Sequence, residues 1–221
     1  MILTEYFTFN LFQERCSVVQ DKDGNCAIID PGFSTPQEKD ELYGFIQKKN
    51  LQVKAVLLTH GHFDHIYGVA EAAGHYGVPV YMHPADEVII KEANPMLCNT
   101  YGLVIPAGFA GAVPVKEGDM IKVGNLCFEV IETPGHTPGG LCYLERNEKI
   151  LFSGDTLFAG SIGRTDNQWA DYDALMSGIF TKLMELDGDI TVIPGHGPET
   201  TIATERTTNP FLMPFNEPFE D

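Results

Sequence analysis

Three histidines and an aspartate fall within six consecutive positions, in the run His60-Gly61-His62-Phe63-Asp64-His65. A buried neutral imidazole needs partners for both ring nitrogens, so imidazoles crowded together would leave polar atoms unpaired in an ordinary core. Nitrogen and oxygen donors at this density suit zinc or a similar divalent cation. A functionless polar turn is the alternative, and it satisfies the cluster poorly. The run therefore predicts a metal site.

A buried strand and a helix are expected on either side of this run. Residues 53–58 are apolar and partly β-branched, as in a buried strand. Ile66, Val69 and Ala73 recur at helical spacing, and Gly74 and Gly77 are expected to close that helix. The donors are thus predicted on a strand-to-helix turn, where a rigid scaffold presents a loop to solvent.

Three later segments repeat one arrangement, in which a short apolar strand is followed by a glycine-containing turn and a donor. Strands expected at 126–131, 150–152 and 190–193 lead to His136, Asp155 and His196, respectively. Glycine permits turns that bring a side chain to a sheet edge, and proline stiffens the approach. Taken singly, each segment is equally typical of an ordinary turn. Together with the first run they give seven donors, more than the roughly four to six that one ion takes.

The pattern His-X-His-X-Asp-His, completed by these later donors, resembles the metallo-β-lactamase superfamily, and Asp64-His65 resembles its glyoxalase II (hydroxyacylglutathione hydrolase) branch. The resemblance implies that His60, His62 and His136 hold one metal. It implies that Asp64, His65 and His196 hold the second, with Asp155 bridging. The expected cofactors are two divalent ions, zinc first, with iron or manganese as alternatives. A hydroxide shared by two cations about 3.5 Å apart would attack a thioester carbonyl, and Asp64 would orient it and receive its proton.

The same resemblance ranks the branches of the family. Class B1 β-lactamases carry cysteine where this chain has Asp155, which disfavours a lactamase. Gly154–Phe158 followed by Gly163-Arg164 resembles the glyoxalase II substrate loop, so Arg164 is expected to bind the substrate. The segment from Gly163 also resembles persulfide dioxygenases, which use one iron at positions matching His60, His136 and Asp155. A third hypothesis is a metal-binding module without turnover. About 25 residues follow His196, fewer than in longer glyoxalase II enzymes, so the thiol carrier and the acyl group stay open.

The order of expected elements gives the fold class. Strands at 5–10, 15–20 and 25–30 are followed by a helix capped by Thr35, and the second half repeats strands and then a helix capped by Asp171 or Asp173. Patterning alone predicts a mixed α/β protein, and the resemblance implies a four-layer αβ/βα sandwich formed by one domain over 1–221. Residues 94–111 are rich in glycine, proline and aromatics and are predicted to form a long loop.

Composition restricts the partners. A formal net charge of −17 disfavours nucleic-acid binding, which needs clustered lysine and arginine. No stretch approaches the roughly 18 apolar residues of a membrane span, and the first residues lack a signal-peptide pattern. Five cysteines without C-x-x-C spacing indicate free, mostly buried thiols and a cytoplasmic location. A small-molecule thioester is the expected partner, and the oligomeric state is left open.

Overall fold

In the computed structural model, which describes residues 3–109 and 111–213, two six-stranded sheets pack face to face. The first sheet has the order β1-β2-β3-β4-β5-β6, from strands β1 (Leu3–Phe9), β2 (Glu14–Gln20), β3 (Asn25–Ile29), β4 (Gln52–Leu57), β5 (Val80–Met82) and β6 (Val113–Pro114). Its first two pairings are antiparallel, and the pairings from β3 to β6 are parallel. Parallel pairing brings the carboxyl ends of β3 and β4 to one edge of the sheet.

The second sheet has the order β14-β13-β10-β9-β8-β7. Its strands are β7 (Met120–Val123), β8 (Leu126–Glu132), β9 (Leu141–Glu145), β10 (Ile150–Gly154), β13 (Thr191–Pro194) and β14 (Thr200–Thr201), and a separate hairpin is formed by β11 (Leu157–Phe158) and β12 (Ser161–Ile162). The β10–β13 pairing is parallel and the other pairings of this sheet are antiparallel. The carboxyl ends of β10 and β13 therefore meet at one edge.

Helices cover the outer face of each sheet. They are α1 (Pro36–Lys48), α2 (Phe63–Ile66), α3 (Val69–Tyr76), α4 (Asn94–Tyr101), α5 (Tyr172–Gly178) and α6 (Ile202–Thr208). Thr35 and Glu38 form the expected capping box at the start of α1, and Asp171 accepts a hydrogen bond from the backbone N–H of Ala174 at the start of α5. Gly77 ends α3 in the left-handed conformation, as expected of a closing glycine.

Three apolar cores lie between the layers of the fold. One core lies between the sheets and includes Ile29, Leu57, Phe128, Tyr143 and Phe152. The other two lie between each sheet and its helices. The four-layer arrangement of helix, sheet, sheet and helix is therefore confirmed.

Hydrogen bonds also join the two sheets near the edge where their strands end. The backbone N–H of Leu141 donates to the carbonyl of Thr59 at 2.8 Å, and the Tyr143 hydroxyl donates to the carbonyl of Leu58 at 2.7 Å. The backbone N–H of Arg15 donates to the carbonyl of Gly195, also at 2.8 Å. We call this joined edge the seam.

The long loop expected over 94–111 is wrong in its first half. A helical stretch begins at Pro84, passes through a π-turn at Ile89–Ala93 and continues as α4. Pro95 lies at the second position of α4, directly after the π-turn. Buried Ala93 and Cys98 anchor this stretch to the protein. Tertiary packing thus overrides a composition that by itself suggests a loop.

Two further expectations concern cysteines and membranes. All five cysteines are free, and four of them are buried. In residues 3–109 and 111–213, no helix combines the length and the apolar character needed to cross a bilayer.

Candidate metal centre

The predicted donors lie together at the seam because each follows a strand that ends there. The run from His60 to His65 follows β4 and continues into α2. His136 follows β8, Asp155 follows β10 and His196 follows β13. Six of the seven are buried or nearly so, and His196 is 26% exposed at its side chain. The structure thus brings all seven sequence-predicted donors into one site.

Three imidazoles form a first cluster, which consists of His60, His62 and His136. Their candidate ligand atoms all lie within 4.8 Å of one another. The Nδ1 of His62 lies 2.9 Å from the Nε2 of His136, so a single proton at most can lie between them. The Nδ1 of His136 faces the carbonyl of Arg164 at 2.9 Å and donates to it, which leaves its Nε2 as an acceptor.

A carboxylate and two imidazoles form a second cluster, which consists of Asp64, His65 and His196. The two Nε2 atoms lie 3.2 Å apart, and the Asp64 Oδ2 lies 3.4 Å from the Nε2 of His196. The Nδ1 of His196 donates to the carbonyl of Phe12 at 3.0 Å, and this bond orients the ring with Nε2 towards the cluster.

The Asp155 carboxylate lies between the two clusters. One oxygen, Oδ1, is 3.4 Å from the Nε2 of His65 in the second cluster. The other, Oδ2, is 3.5 Å from the Nε2 of His136 in the first cluster and 3.6 Å from that of His196. A carboxylate in this position can contact groups bound at either cluster.

The electrostatics divide the imidazoles into two kinds. Burial, reinforced by neighbouring imidazoles, lowers the pKa of His60 well below its usual range and that of His62 to about 3. Burial also opposes charge on His65, but Asp155, Asp64 and Asp30 outweigh it and raise the His65 pKa well above its usual value. His60 and His62 therefore offer neutral nitrogen lone pairs, whereas His65 holds a proton among three carboxylates.

The donor set fits a divalent cation. Within the described part of the chain, the buried Nε2 of His60 and Oδ1 of Asp155 have no hydrogen-bond partner. Unpaired buried polar atoms are costly, and a cation coordinated by both nitrogen and oxygen would satisfy them. The proton on His65 occupies a position where positive charge is stabilised, and a metal would supply that charge instead.

Asp30 supports the site and was not predicted to do so. Its Oδ2 faces the Nδ1 of His65 at 3.0 Å, and its carboxylate also accepts from the backbone N–H and the hydroxyl of Thr59. The Thr59 hydroxyl lies 3.1 Å from the Nδ1 of His60. Asp30 follows β3, which is parallel to β4, so the meeting of their carboxyl ends was the available signal.

Asp86 joins two of the donor-bearing loops. Its buried carboxylate accepts hydrogen bonds from the backbone N–H of Gly61 at 2.7 Å, the hydroxyl of Thr137 at 2.9 Å and the backbone N–H of Gly139 at 2.6 Å. Burial raises the pKa of Asp86, although the three donors oppose that rise. Sequence patterning does not single out Asp86, because a lone aspartate shortly after a proline is an ordinary turn residue.

Two glycines allow the donor loops to approach one another. A Cβ at Gly195 would overlap the Asp155 carboxylate and lie 2.7 Å from the Cε1 of His65. A Cβ at Gly163 would overlap the Asp155 carbonyl and lie 3.1 Å from the Cβ of His136. Glycine is therefore needed at both positions for close packing of the ligand-bearing loops.

A buried acid below the site has no partner. Glu14, the first residue of β2, is fully buried, and neither carboxylate oxygen has a hydrogen-bond partner among the described residues. Burial raises the pKa of Glu14 well above its usual value, so the side chain is held as the neutral acid.

A cavity of about 300 Å³ opens over the two clusters. Its walls include Phe12, Leu97 and Tyr101, with Arg164 also at its lining. The Arg164 side chain is 53% exposed, and its Nη1 lies 3.7 Å from the Oδ1 of Asp166. The guanidinium thus lies next to the site, and it also has an intrachain partner in the Asp166 carboxylate.

The two histidines outside the donor set have ordinary roles. His83 accepts from the backbone N–H of Ala85 and lies 3.2 Å from the Glu132 carboxylate. His75 stacks on Tyr43 with ring centroids 4.5 Å apart.

Known proteins resemble this chain over most of its length. The family model for the metallo-beta-lactamase superfamily matches residues 10–196. Hydroxyacylglutathione hydrolase GloC of Haemophilus influenzae is 39% identical over 209 residues, covering 94% of this chain and 97% of that protein. The structure of BLEG-1, a B3 metallo-beta-lactamase, is 33% identical with a TM-score of 0.87, covering 95% of this chain and 99% of that one. TTHA1623, solved in a di-iron-bound form, is 38% identical with a TM-score of 0.83, covering 94% and 100%.

Proposed function

Since the chain belongs to the metallo-beta-lactamase superfamily, we propose that it is a hydrolase that uses two divalent metal ions to cleave thioesters of the S-2-hydroxyacylglutathione type. The similarity to a hydroxyacylglutathione hydrolase over nearly the whole of both chains supports a hydrolase. Zinc is our first expectation for the metal, and the di-iron form of TTHA1623 supports iron as an alternative.

The observation that carries this proposal is the pair of clusters with Asp155 between them. His60, His62 and His136 would hold one ion, and Asp64, His65 and His196 would hold the other. The position of Asp155, with Oδ1 near His65 and Oδ2 near both His136 and His196, supports a bridging role. Bound at these residues, two divalent cations would lower the pKa of a water molecule and polarise a carbonyl group.

The remaining chemistry belongs to side chains of this protein. We assign to the Asp64 carboxylate, which lines the cavity, the orientation of the attacking water and acceptance of its proton at Oδ2. Neighbouring His65 and the hydrogen bond from His196 outweigh burial and lower the pKa of Asp64, so the carboxylate is ionised at neutral pH. A thiolate is a good leaving group, so the reaction needs no dedicated general acid.

Arg164 is assigned to substrate binding. Its guanidinium at the cavity lining offers a planar pair of donors that suits a carboxylate of a glutathione-type thiol. Its backbone carbonyl already orients His136, so the side chain and the main chain of this residue would serve the same site in different ways.

The test is hydrolysis of S-lactoylglutathione by protein loaded with zinc, iron or manganese. The reaction is monitored through the release of free thiol. Elemental analysis of the same samples should find two ions per chain. Removal of the metal with a chelator should abolish thiol release, and adding it back should restore it. Loaded protein that releases no thiol would refute the proposal.

Two other reactions are distinguished in the same experiment. A persulfide dioxygenase would hold a single iron and consume oxygen with glutathione persulfide, without releasing thiol from a thioester. The similarity to BLEG-1 makes β-lactam opening the second competing activity, and a chromogenic cephalosporin tests it. The donors of the second cluster favour two ions over one.

A further inference from the structure

Apolar side chains are unusually exposed beside the metal centre. Twelve large hydrophobic side chains are exposed in the part of the chain that the structure describes, and five of them line the cavity or a second groove next to it. These five are Leu11, Phe12, Tyr101, Val104 and Ile105. Contiguous exposed apolar surface next to a polar site is typical of a ligand-binding surface.

The second groove has a volume of about 390 Å³, within the range of small-molecule sites. Phe12 is the residue that lines both the groove and the cavity. Its ring packs edge-on against Phe63, with centroids 5.0 Å apart, and Phe63 packs in turn against Tyr67 of the groove wall. The groove therefore adjoins the cavity over the metal centre, and the packed rings of Phe12, Phe63 and Tyr67 lie between the two.

The charges around this surface exclude a strongly anionic ligand. Among the described residues that line the cavity, Arg164 is the only lysine or arginine. The groove contains Lys39, which is paired with Glu71 at 2.9 Å. A thioester with several negative charges would find one guanidinium here, which itself lies 3.7 Å from the Asp166 carboxylate, in a chain with a net charge of −17.

Arg164 and Phe12 belong to different ends of the donor set. The Arg164 carbonyl accepts from His136 of the first cluster, whereas the Phe12 carbonyl accepts from His196 of the second cluster. If a carboxylate of the thiol carrier binds Arg164, the acyl group extends towards the opposite end, where Phe12 and the groove lie.

We propose that the groove binds an aliphatic acyl chain, so that thioesters of apolar acids of medium length are also substrates and are hydrolysed faster than thioesters with an acetyl group. This inference rests on the proposed thioester hydrolysis and specifies its acyl group. Apolar burial provides the specificity, because each methylene placed in the groove leaves water.

The experiment compares S-acetyl- and S-octanoyl-N-acetylcysteamine with the zinc-loaded protein. We expect kcat/KM for the octanoyl thioester to be higher by about 10-fold or more, which is a small part of what six fully buried methylenes would give. The groove variants are Leu11→Asp and Val104→Asp, whose side chains are 87% and 79% exposed and can change without disturbing the core. Both should lose most of the octanoyl advantage.

The matched control is Met120→Asp. Met120 is an exposed apolar residue on β7, outside the groove and the cavity, and this variant should keep the octanoyl advantage. Equal kcat/KM for both thioesters, or groove variants that behave like Met120→Asp, would overturn the proposal.

A binding measurement separates this inference from the proposed function. The thioether S-octyl-N-acetylcysteamine cannot be hydrolysed, and calorimetric titration into chelator-treated protein should show binding that Leu11→Asp weakens. Binding without hydrolysis of any thioester would refute the proposed function and keep the groove assignment. Hydrolysis of thioesters with no binding of the thioether and no effect of acyl-chain length would keep the proposed function and refute the groove assignment. A dimer that Leu11→Asp dissociates, with no chain-length effect, would assign the surface to a second copy and refute the inference.

Discussion

Replacing Asp86 by asparagine should loosen the metal centre although residue 86 is not a ligand. The carboxylate connects the loop of His60 and His62, through Gly61, to the loop of His136, through Thr137 and Gly139. Asparagine keeps the size of the side chain but turns one acceptor oxygen into an N–H donor. That donor must then face at least one of the three groups that now donate to Asp86.

The magnitude follows from these bonds. If the amide nitrogen of the asparagine takes the position of Oδ1, the hydrogen bond from Gly139 is lost. If it takes the position of Oδ2, the hydrogen bonds from Gly61 and Thr137 are lost. A hydrogen bond to a charged group contributes about 1.5–3 kcal/mol. Burial of the carboxylate offsets part of this, as its raised pKa indicates, so the free energy of unfolding should fall by ~1.5–2 kcal/mol. Groups that orient ligands typically change metal affinity by about 10–100-fold, and we expect a loss in that range.

The assay measures stability and metal binding separately. Urea denaturation in the presence of a chelator gives the free energy of unfolding without metal, and competition with a chromogenic chelator gives metal affinity. Asp21→Asn is the matched control, because the Asp21 carboxylate also accepts backbone N–H bonds, from Asp23, Asn25 and Asn125, at the opposite ends of the strands. It should reduce stability and leave metal affinity unchanged. If Asp86→Asn lowers stability but binds metal as tightly as the wild type, the connection between the loops does not shape the site.

Three further outcomes are expected. Asp155→Ala should weaken metal binding at both clusters and abolish turnover, and elemental analysis finding two ions with retained activity would contradict the bridging role. Arg164→Ala should raise KM for S-lactoylglutathione about 10-fold while sparing a thioester without a carboxylate, and equal losses on both would instead indicate support of the loop that holds His136. The Glu14 side chain stays neutral in the folded protein above about pH 4.3, whereas in the unfolded chain it ionises there. The wild-type free energy of unfolding should therefore fall with rising pH, by up to ~1.4 kcal/mol per pH unit, until the pH reaches the raised pKa of Glu14 in the folded protein. The stability advantage of Glu14→Gln, measured on metal-free protein, should therefore grow as the pH rises above about 4.3, and a constant difference would show that Glu14 is ionised in the fold.

The donors were predictable because their signal is local. Each of the seven lies a few residues after an apolar segment, and residue type, glycine and strand end are all visible within one short window. The capping box of α1 is equally local, since Thr35 and Glu38 are three residues apart.

The residues that support the donors were not predictable in this way. Asp86 meets Gly61 and Gly139 across 25 and 53 positions, and no short window contains such a contact. Helix α4 was missed because burial of residues such as Cys98, and not periodicity, stabilises it. Two-residue strands such as β6 and β14 carry no alternation to detect, and their pairing with longer strands defines them.

The seam gives the metal centre a property that neither sheet has alone. Four of the seven predicted donors, from His60 to His65, come from the first half of the chain, and His136, Asp155 and His196 come from the second. Each half of the chain supplies only part of the donors. How often the two sets of donors are close enough to bind metal together depends on how firmly the two sheets are held to each other. A metal at about 1,000 times its dissociation constant would stabilise the closed form by ~4.1 kcal/mol. Tyr143→Phe, which removes the hydroxyl that donates to the Leu58 carbonyl across the seam, should therefore change the apparent metal affinity without altering a donor.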